Sequence, residues 1–156
     1  MTAAPRHWTA PRILVRVVLF FTLLGPLLAD LAIPAVADLH LHNPAWPPHA
    51  KFHDAQYIVM AALIAGVGLA VLWGRTGDLR ARFHLAAALG SVTWLGMFAA
   101  LLFPGTAPQD PEHAADAVKV AGLDPQLFIA LVMLVALSAA LILERTRSPI
   151  PGRAAG

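Results

Sequence analysis

The sequence predicts an all-α protein, an integral membrane four-helix bundle with both termini on the cytoplasmic side (N-in/C-in). Three observations predict it: an apolar composition, four apolar segments of spanning length, and basic and acidic residues that alternate between successive loops. Of the 156 residues, 58% are hydrophobic and 13% are charged. A soluble domain of this size needs more polar surface, so we expect the lipid bilayer to be its main partner.

Four segments are long enough to cross a bilayer, which takes about 20 mostly apolar residues. They are residues 13–35, 56–73, 83–103 and 126–143. Residues that break or start helices separate them: Pro34, Gly74, Gly77, Pro104, Gly105, Asp124 and Pro125. The outer loops then cover residues 36–55 and 104–125, and residues 1–156 form a single membrane domain.

The basic residues orient the predicted bundle. Nine of the 11 fall on one side: Arg6, Arg12, Arg16, Arg75, Arg80, Arg82, Arg145, Arg147 and Arg153. Only Lys51 and Lys119 fall on the other side, together with most of the acidic residues. By the positive-inside rule the arginine side is cytoplasmic, which predicts a multi-pass protein of the cell (inner) membrane. Arg16, close to that edge, is expected to anchor the helix by extending its charge to the interface.

The composition also excludes several classes of function. The chain has no cysteine, which excludes disulfides, thiolate metal sites and a cysteine nucleophile. Its isoelectric point is about 9.7, but the basic residues lie in small clusters beside apolar segments, so no nucleic-acid partner is expected. The middle of each span is mostly apolar, which disfavours a channel or an ion pump. Nothing in the sequence indicates the oligomeric state.

Small residues are expected to let the helices pack closely, because lipid gives apolar helices little reason to associate. On the second span Ala62, Gly66 and Ala70 recur at every fourth position, and Gly68 adds another small residue. The third span carries a small, weakly polar set: Ala86, Gly90, Ser91, Thr93 and Gly96. These two sets are the predicted contact faces.

The first outer loop contains four of the seven histidines: His40, His42, His49 and His53. The H-x-H pair would point both rings to one side if the backbone were extended. Pro47-Pro48 is typical of a helix start, which makes His49 and His53 neighbours at positions i and i+4. Gln56, Tyr57 and Met60 would then continue that helix face into the bilayer.

Two chemistries fit this loop. Imidazoles near a helix N-terminus favour the neutral form that binds metal, and a divalent Zn, Fe, Cu or Ni ion suits them. The candidate metal ligands are His40, His42, His49, His53, Asp38 and Asp54, where the two aspartates could instead orient an imidazole. The second chemistry is acid–base catalysis, with His49, His53 and Asp30 as the candidate catalytic groups.

A structural interpretation of the same loop stays open. Histidines and tryptophans are common as interfacial polar groups, and Trp46 and Tyr57 fit an aromatic belt. Asp30, near the outer end of the first span, is either a site residue that faces the histidines or an interfacial carboxylate. His113 lies in a predicted short amphipathic helix of the second outer loop and is expected to be a solvated loop residue.

The segment from His42 to His53 resembles the signature of an uncharacterised family of small four-span membrane proteins found in bacteria and fungi. The family pattern reads roughly H-N-P-x-W-P-P-H-A-(K/R)-F-H, and this chain matches it throughout. The resemblance implies that five residues form a shared site: His42, Asn43, Trp46, His49 and His53. It implies no particular reaction.

Taken together, the residues favour a membrane enzyme, or an enzyme-like binding protein, that acts on a lipophilic small molecule. Its site would lie at the outer ends of the first two spans, with Gln56 and Tyr57 beside the histidines. The alternative is a non-catalytic membrane protein, such as an accessory subunit, a sensor or a minor transporter, in which the histidine-rich loop is structural.

Overall fold

A computed structural model describes residues 8–110 and 118–147 of the chain, and these residues form a helical bundle. The helices are α1 (Ala10–Leu31), α2 (Pro34–Ala37), α3 (Pro48–Trp73), α4 (Leu79–Ala100) and α5 (Pro125–Arg147). The part of the chain that is described contains no β-strand beyond one isolated bridge between Val120 and Leu123. The prediction of an all-α protein is therefore confirmed.

Four of the helices (α1, α3, α4 and α5) are long and apolar enough to cross a membrane. Local chemistry sets their ends. Pro48 is the first residue of α3, where the missing N–H of proline costs nothing. The Asp78 carboxylate caps α4 by accepting from the backbone N–H groups of Arg80 (2.8 Å) and Ala81 (3.2 Å). Similarly, the carboxylate of Asp124 accepts from the N–H of Gln126 (3.0 Å) at the start of α5.

Two of the differences between the helix ends and the predicted spans affect the histidine-rich loop. The first helix ends at Leu31 rather than at residue 35, because Pro34 does not terminate it but starts the short helix α2. The second long helix begins at Pro48 rather than at residue 56, so the end of the histidine-rich loop belongs to α3. This extension carries His49 and His53 onto a rigid element.

The long helices form a closed arrangement in which α1 packs against α3 and α5, and α4 packs against α3 and α5. One end of the bundle, here called the histidine face, contains the end of α1, α2 and the start of α3. The other end, the arginine face, contains Arg12, Arg16 and Arg82. The start of α1 and the end of α5 both lie at this face. That this face is cytoplasmic stays a prediction.

Leu19 of α1 is the central packing residue of the bundle and is fully buried. It lies against two glycines: a Cβ placed on Gly68 would come within 2.7 Å of Leu19 Cδ2, and one placed on Gly90 within 3.3 Å. The glycines of α3 and α4 thus form the space that this side chain fills. Close packing of this kind is what holds apolar helices together in lipid.

The predicted contact face of α3 is correct for Gly68 and wrong for the other three residues. The buried positions are Ile58, Ala61, Ala65, Gly68, Leu69 and Leu72. Ala70 is exposed, and a Cβ on Gly66 would meet no atom within 4 Å. On α4 the prediction holds for Ala86, Gly90 and Thr93, which are buried, but Gly96 is exposed.

The structure shows what surrounds Arg16, while its anchoring role at the interface stays a prediction. Its side chain is buried in the bundle, with 5% of its surface exposed. The rings of Trp8 and Trp73 lie 4.5 and 5.9 Å from the guanidinium carbon. Arg12, one turn earlier, donates to the Leu79 carbonyl (2.7 Å) and pairs with Glu144 (3.3 Å). This pair ties the start of α1 to the end of α5.

Candidate functional site

The loop between α1 and α3 is a series of tight turns. After α2, the backbone N–H of His40 donates to the Ala37 carbonyl (3.0 Å), and that of His42 donates to the same carbonyl (2.9 Å). The expectation of an extended H-x-H segment is therefore wrong, because the helical turn that Pro34 starts continues as turns through this segment. The two rings do not share one side in the way an extended strand would place them.

Asp30 and His40 form an ion pair at the histidine face. Asp30, with 7% of its surface exposed, places Oδ1 3.0 Å from His40 Nδ1, and the Val36 carbonyl lies 2.9 Å from the same nitrogen. Because both neighbours are acceptors, Nδ1 carries a hydrogen and donates to them. Asp30 therefore faces a histidine, and whether it acts as a site residue stays a prediction.

The surroundings of His40 favour its charged form. The hydrogen bond with Asp30 raises the pKa of His40 above its usual value of 6.5, and the charges of Asp30 and Asp54 and the Val36 carbonyl act in the same direction. Partial burial opposes this rise but does not cancel it. The Trp46 ring packs edge-on against the imidazole with 5.6 Å between ring centroids. Among the residues described, no group bonds to the buried Oδ2 atom of Asp54.

His49 and His53 form a second pair, one turn apart on α3. Their Nε2 atoms are 3.1 Å apart, and the rings meet at 80°. This confirms the predicted i, i+4 relation. His53 Nδ1 lies 3.3 Å from Gln56 Oε1. One tautomer set satisfies both contacts: His53 Nδ1–H donates to Gln56, and His49 Nε2–H donates to His53 Nε2. Both histidines are exposed.

A cavity of about 410 Å³ begins at His53 and extends between α3 and α4. His53, Gln56 and Tyr57 supply its polar groups. The rest of its lining is apolar apart from Thr93: Met60, Ala61, Ile64, Val92, Gly96, Met97 and Ala100. Helical spacing in the sequence predicted the α3 wall but not the α4 wall. No sequence signal marks that wall, because lipid-facing and cavity-facing residues of a membrane helix are equally apolar.

The remaining predicted site residues have other positions. His42 and Asp38 are exposed and belong to neither pair. Asn43 shapes the loop, since its side-chain oxygen accepts from the N–H of Ala45 (2.9 Å). His113 lies outside the described residues. Within residues 8–110 and 118–147, no group of three or more histidine or acidic side chains is placed to hold a metal ion. Metal binding by the wider histidine set stays a prediction.

Comparison with known proteins gives one match. The model of a family of unknown function, DUF6640, matches residues 14–153. No curated protein and no solved structure matches the sequence. The match agrees with the uncharacterised family that the sequence analysis expected, whereas the loop motif as its signature stays a prediction.

Proposed function

The chain belongs to this family of unknown function, DUF6640, and we propose that it binds a lipophilic molecule in the cavity between α3 and α4. His49 and His53 would act on the polar group of that molecule as an acid–base pair. The observation that carries the proposal is the cavity itself, which has apolar walls and, at one end, His53, whose Nε2 contacts that of His49.

The composition of the cavity supports an amphiphilic ligand. Small-molecule sites are mostly apolar, enclose roughly 300–1,000 Å³ and contain a few polar groups that fix the ligand's orientation. Here an acyl or polycyclic body would lie against Met60, Ile64 and Val92, which face each other across the two helices. Its polar group would then lie beside His53 and Tyr57. Because Met60 and Val92 are also exposed on the bundle surface, the ligand could enter sideways from the bilayer.

The histidine pair supports proton transfer at that polar group. Two imidazoles in contact share one hydrogen between them, so the pair can accept a proton from the ligand or donate one to it. Gln56 holds the ring of His53 through Nδ1, so the proton exchange would take place at the two Nε2 atoms that face each other in the pair. The Asp30–His40 pair would act as a positioning group, because it fixes the turns that lead into α3.

Photo-crosslinking tests the binding. Full-length protein in lipid nanodiscs would be exposed to a long-chain alcohol that carries a diazirine on its chain, and the labelled peptides would be identified by mass spectrometry. We expect label on the cavity-lining segments of α3 and α4. Gly96→Leu should remove most of it, since a Cβ at Gly96 meets no atom within 4 Å and the leucine can fill the cavity without disturbing the fold.

Gly66→Leu is the matched control. Gly66 also has open space around its Cβ position, but it does not line the cavity. Both variants replace a helical glycine by leucine, so they share any effect on helix stability. Equal labelling of wild type, Gly96→Leu and Gly66→Leu would contradict the proposal.

The distance between the two imidazoles also favours a second candidate function, metal binding. Two nitrogens 3.1 Å apart, each about 2.0–2.1 Å from a shared ion, subtend an angle of roughly 100°, near the tetrahedral value. A Zn, Cu, Ni or Fe ion bound in this way would take its other ligands from solvent or from the bound molecule. The pair would then act as metal ligands instead of as acid and base.

Elemental mass spectrometry of purified protein separates the two candidates. If the pair binds metal, wild type should retain close to one ion per chain, and the double variant His49→Ala/His53→Ala should retain almost none. His84→Ala, which removes a histidine from α4 near the arginine face, should bind as wild type does. Equal, near-zero metal in all three proteins excludes this candidate and leaves the acid–base proposal unaffected.

A further inference from the structure

Arg16, at the arginine face, is a buried cation without an acceptor. Only 5% of its surface is exposed, and its three guanidinium nitrogens are buried with no hydrogen-bond partner among residues 8–110 and 118–147. Arg12 Nη1 is likewise buried with no hydrogen-bond partner among these residues, although Arg12 Nη2 donates to Leu79 and Glu144. The start of α1 thus presents several N–H donors that the described chain leaves unsatisfied.

Burying a charged guanidinium whose N–H donors are unsatisfied costs free energy unless a ligand supplies the missing acceptor. A guanidinium stays charged in proteins and carries five N–H donors in its plane. Trp8 and Trp73 stabilise its charge through their ring faces, at 4.5 and 5.9 Å. A ring face does not satisfy in-plane N–H groups, however. The nitrogens of Arg16 therefore still need oxygen acceptors that carry negative charge.

The acidic residues near this end of the bundle are already engaged. Glu144 pairs with Arg12 at 3.3 Å, and Asp78 caps α4. Residues 1–7 and 148–156, which the structure does not describe, contain no Asp or Glu in the sequence. The other acids belong to the far end of the bundle or to the α4–α5 connection: Asp30, Asp38, Asp54, Asp110, Glu112, Asp116 and Asp124. The chain near Arg16 therefore offers no carboxylate side chain for it.

We propose that Arg16, together with Arg12 Nη1, binds a phosphate group at the arginine face. The planar guanidinium fork matches phosphate oxygens in a bidentate way, and a second cation beside it favours an anion over a neutral acceptor. Arg16 lies six residues after Ala10, the start of α1, which corresponds to about 9 Å along the helix. That depth is close to the layer of lipid headgroups that flanks the hydrocarbon core.

The surroundings of Arg16 fit a ligand that arrives from the membrane surface. Trp8, which covers the guanidinium, is 58% exposed and precedes α1, so its ring can move aside without unpacking the bundle. Tryptophan is enriched at the depth of lipid headgroups. Both the phosphate of an anionic phospholipid and free phosphate from the aqueous side carry the required chemistry. The site is separate from the α3–α4 cavity and does not depend on the function proposed for it.

Native mass spectrometry of the full chain in detergent tests the site and identifies the source. In one arm, phosphatidylglycerol or phosphatidylcholine is titrated in; in the other, inorganic phosphate is added and thermal unfolding is followed. We expect wild type to retain phosphatidylglycerol and Arg16→Met to bind it at least about tenfold more weakly, as loss of hydrogen bonds to a charged group implies. Arg147→Met, an exposed arginine at the same end, removes the same charge and should bind as wild type does.

A response to inorganic phosphate alone, abolished by Arg16→Met, would support the site with a soluble anion as its ligand. Without added lipid or phosphate, Arg16→Met should unfold at a temperature no lower than wild type, because methionine replaces an unpaired charge. Two results would overturn the proposal. One is equal binding of both probes by wild type and Arg16→Met. The other is an Arg16→Met protein that is less stable, or fails to fold, in the absence of anion.

Discussion

Gly68→Ile is expected to lower the free energy of unfolding by about 3 kcal/mol, the upper range for overpacking a core. The Cβ alone would come within 2.7 Å of Leu19 Cδ2, and isoleucine adds further atoms in the same direction. Leu19 is fully buried in the bundle, so its side chain has little free space to move into. Helices α1 and α3 must therefore move apart. Unfolding in mixed micelles, followed by circular dichroism, measures the loss.

Gly66→Ile is the control, since it makes the same substitution two positions earlier on α3, where a Cβ meets no atom within 4 Å. It should change the free energy of unfolding little. The double variant Leu19→Ala/Gly68→Ile should recover part of the loss, because the smaller residue on α1 makes room for the larger one on α3. If Gly66→Ile and Gly68→Ile destabilise equally, Leu19 is not the packing centre of the bundle.

Most of the helical architecture could be predicted because the determining forces are local. A helix in lipid must be apolar along its length, and Pro48, Asp78 and Pro125 mark helix starts through chemistry within one turn. The side on which each helix packs could not be predicted equally well. Ala62, Gly66 and Ala70 have the spacing of a contact face, but Ala61, Ala65 and Gly68 are the buried residues. In lipid both sides of a helix are apolar, so its composition carries little information about which side faces the other helices.

The two histidine pairs also differ in whether the sequence could predict their contacts. The contact between His49 and His53 depends on helical spacing alone, and it was predicted. The contact between Asp30 and His40 depends on where α1 ends and on the helical turn that begins at Pro34. An extended loop would have carried His40 away from Asp30. The burial of Arg16 likewise follows from the packing of Trp8 and Trp73 around it, which sequence position does not determine.

Asp30→Asn is expected to remove a pH-dependent part of the stability. In wild type the folded-state pKa of His40 is raised above 6.5 by Asp30, so the pair stabilises the protein fully below pH 6.5. That contribution is lost as the pH rises through the raised folded-state pKa. Because the His40 side chain is 34% exposed, solvent screens the pair, and we expect a loss of about 1–2 kcal/mol in Asp30→Asn at pH 6.

Thermal unfolding between pH 5.5 and 9 measures this effect. Wild type should lose stability from the acidic to the basic end of the range, and Asp30→Asn should show a flatter profile that converges with wild type at high pH. His42→Gln, which alters an exposed histidine outside both pairs, should keep the wild-type profile. A slope that survives in Asp30→Asn but disappears in His49→Gln/His53→Gln would assign the titration to the other pair. Asp30 would then contribute to the turn as a hydrogen-bond acceptor and not through its charge.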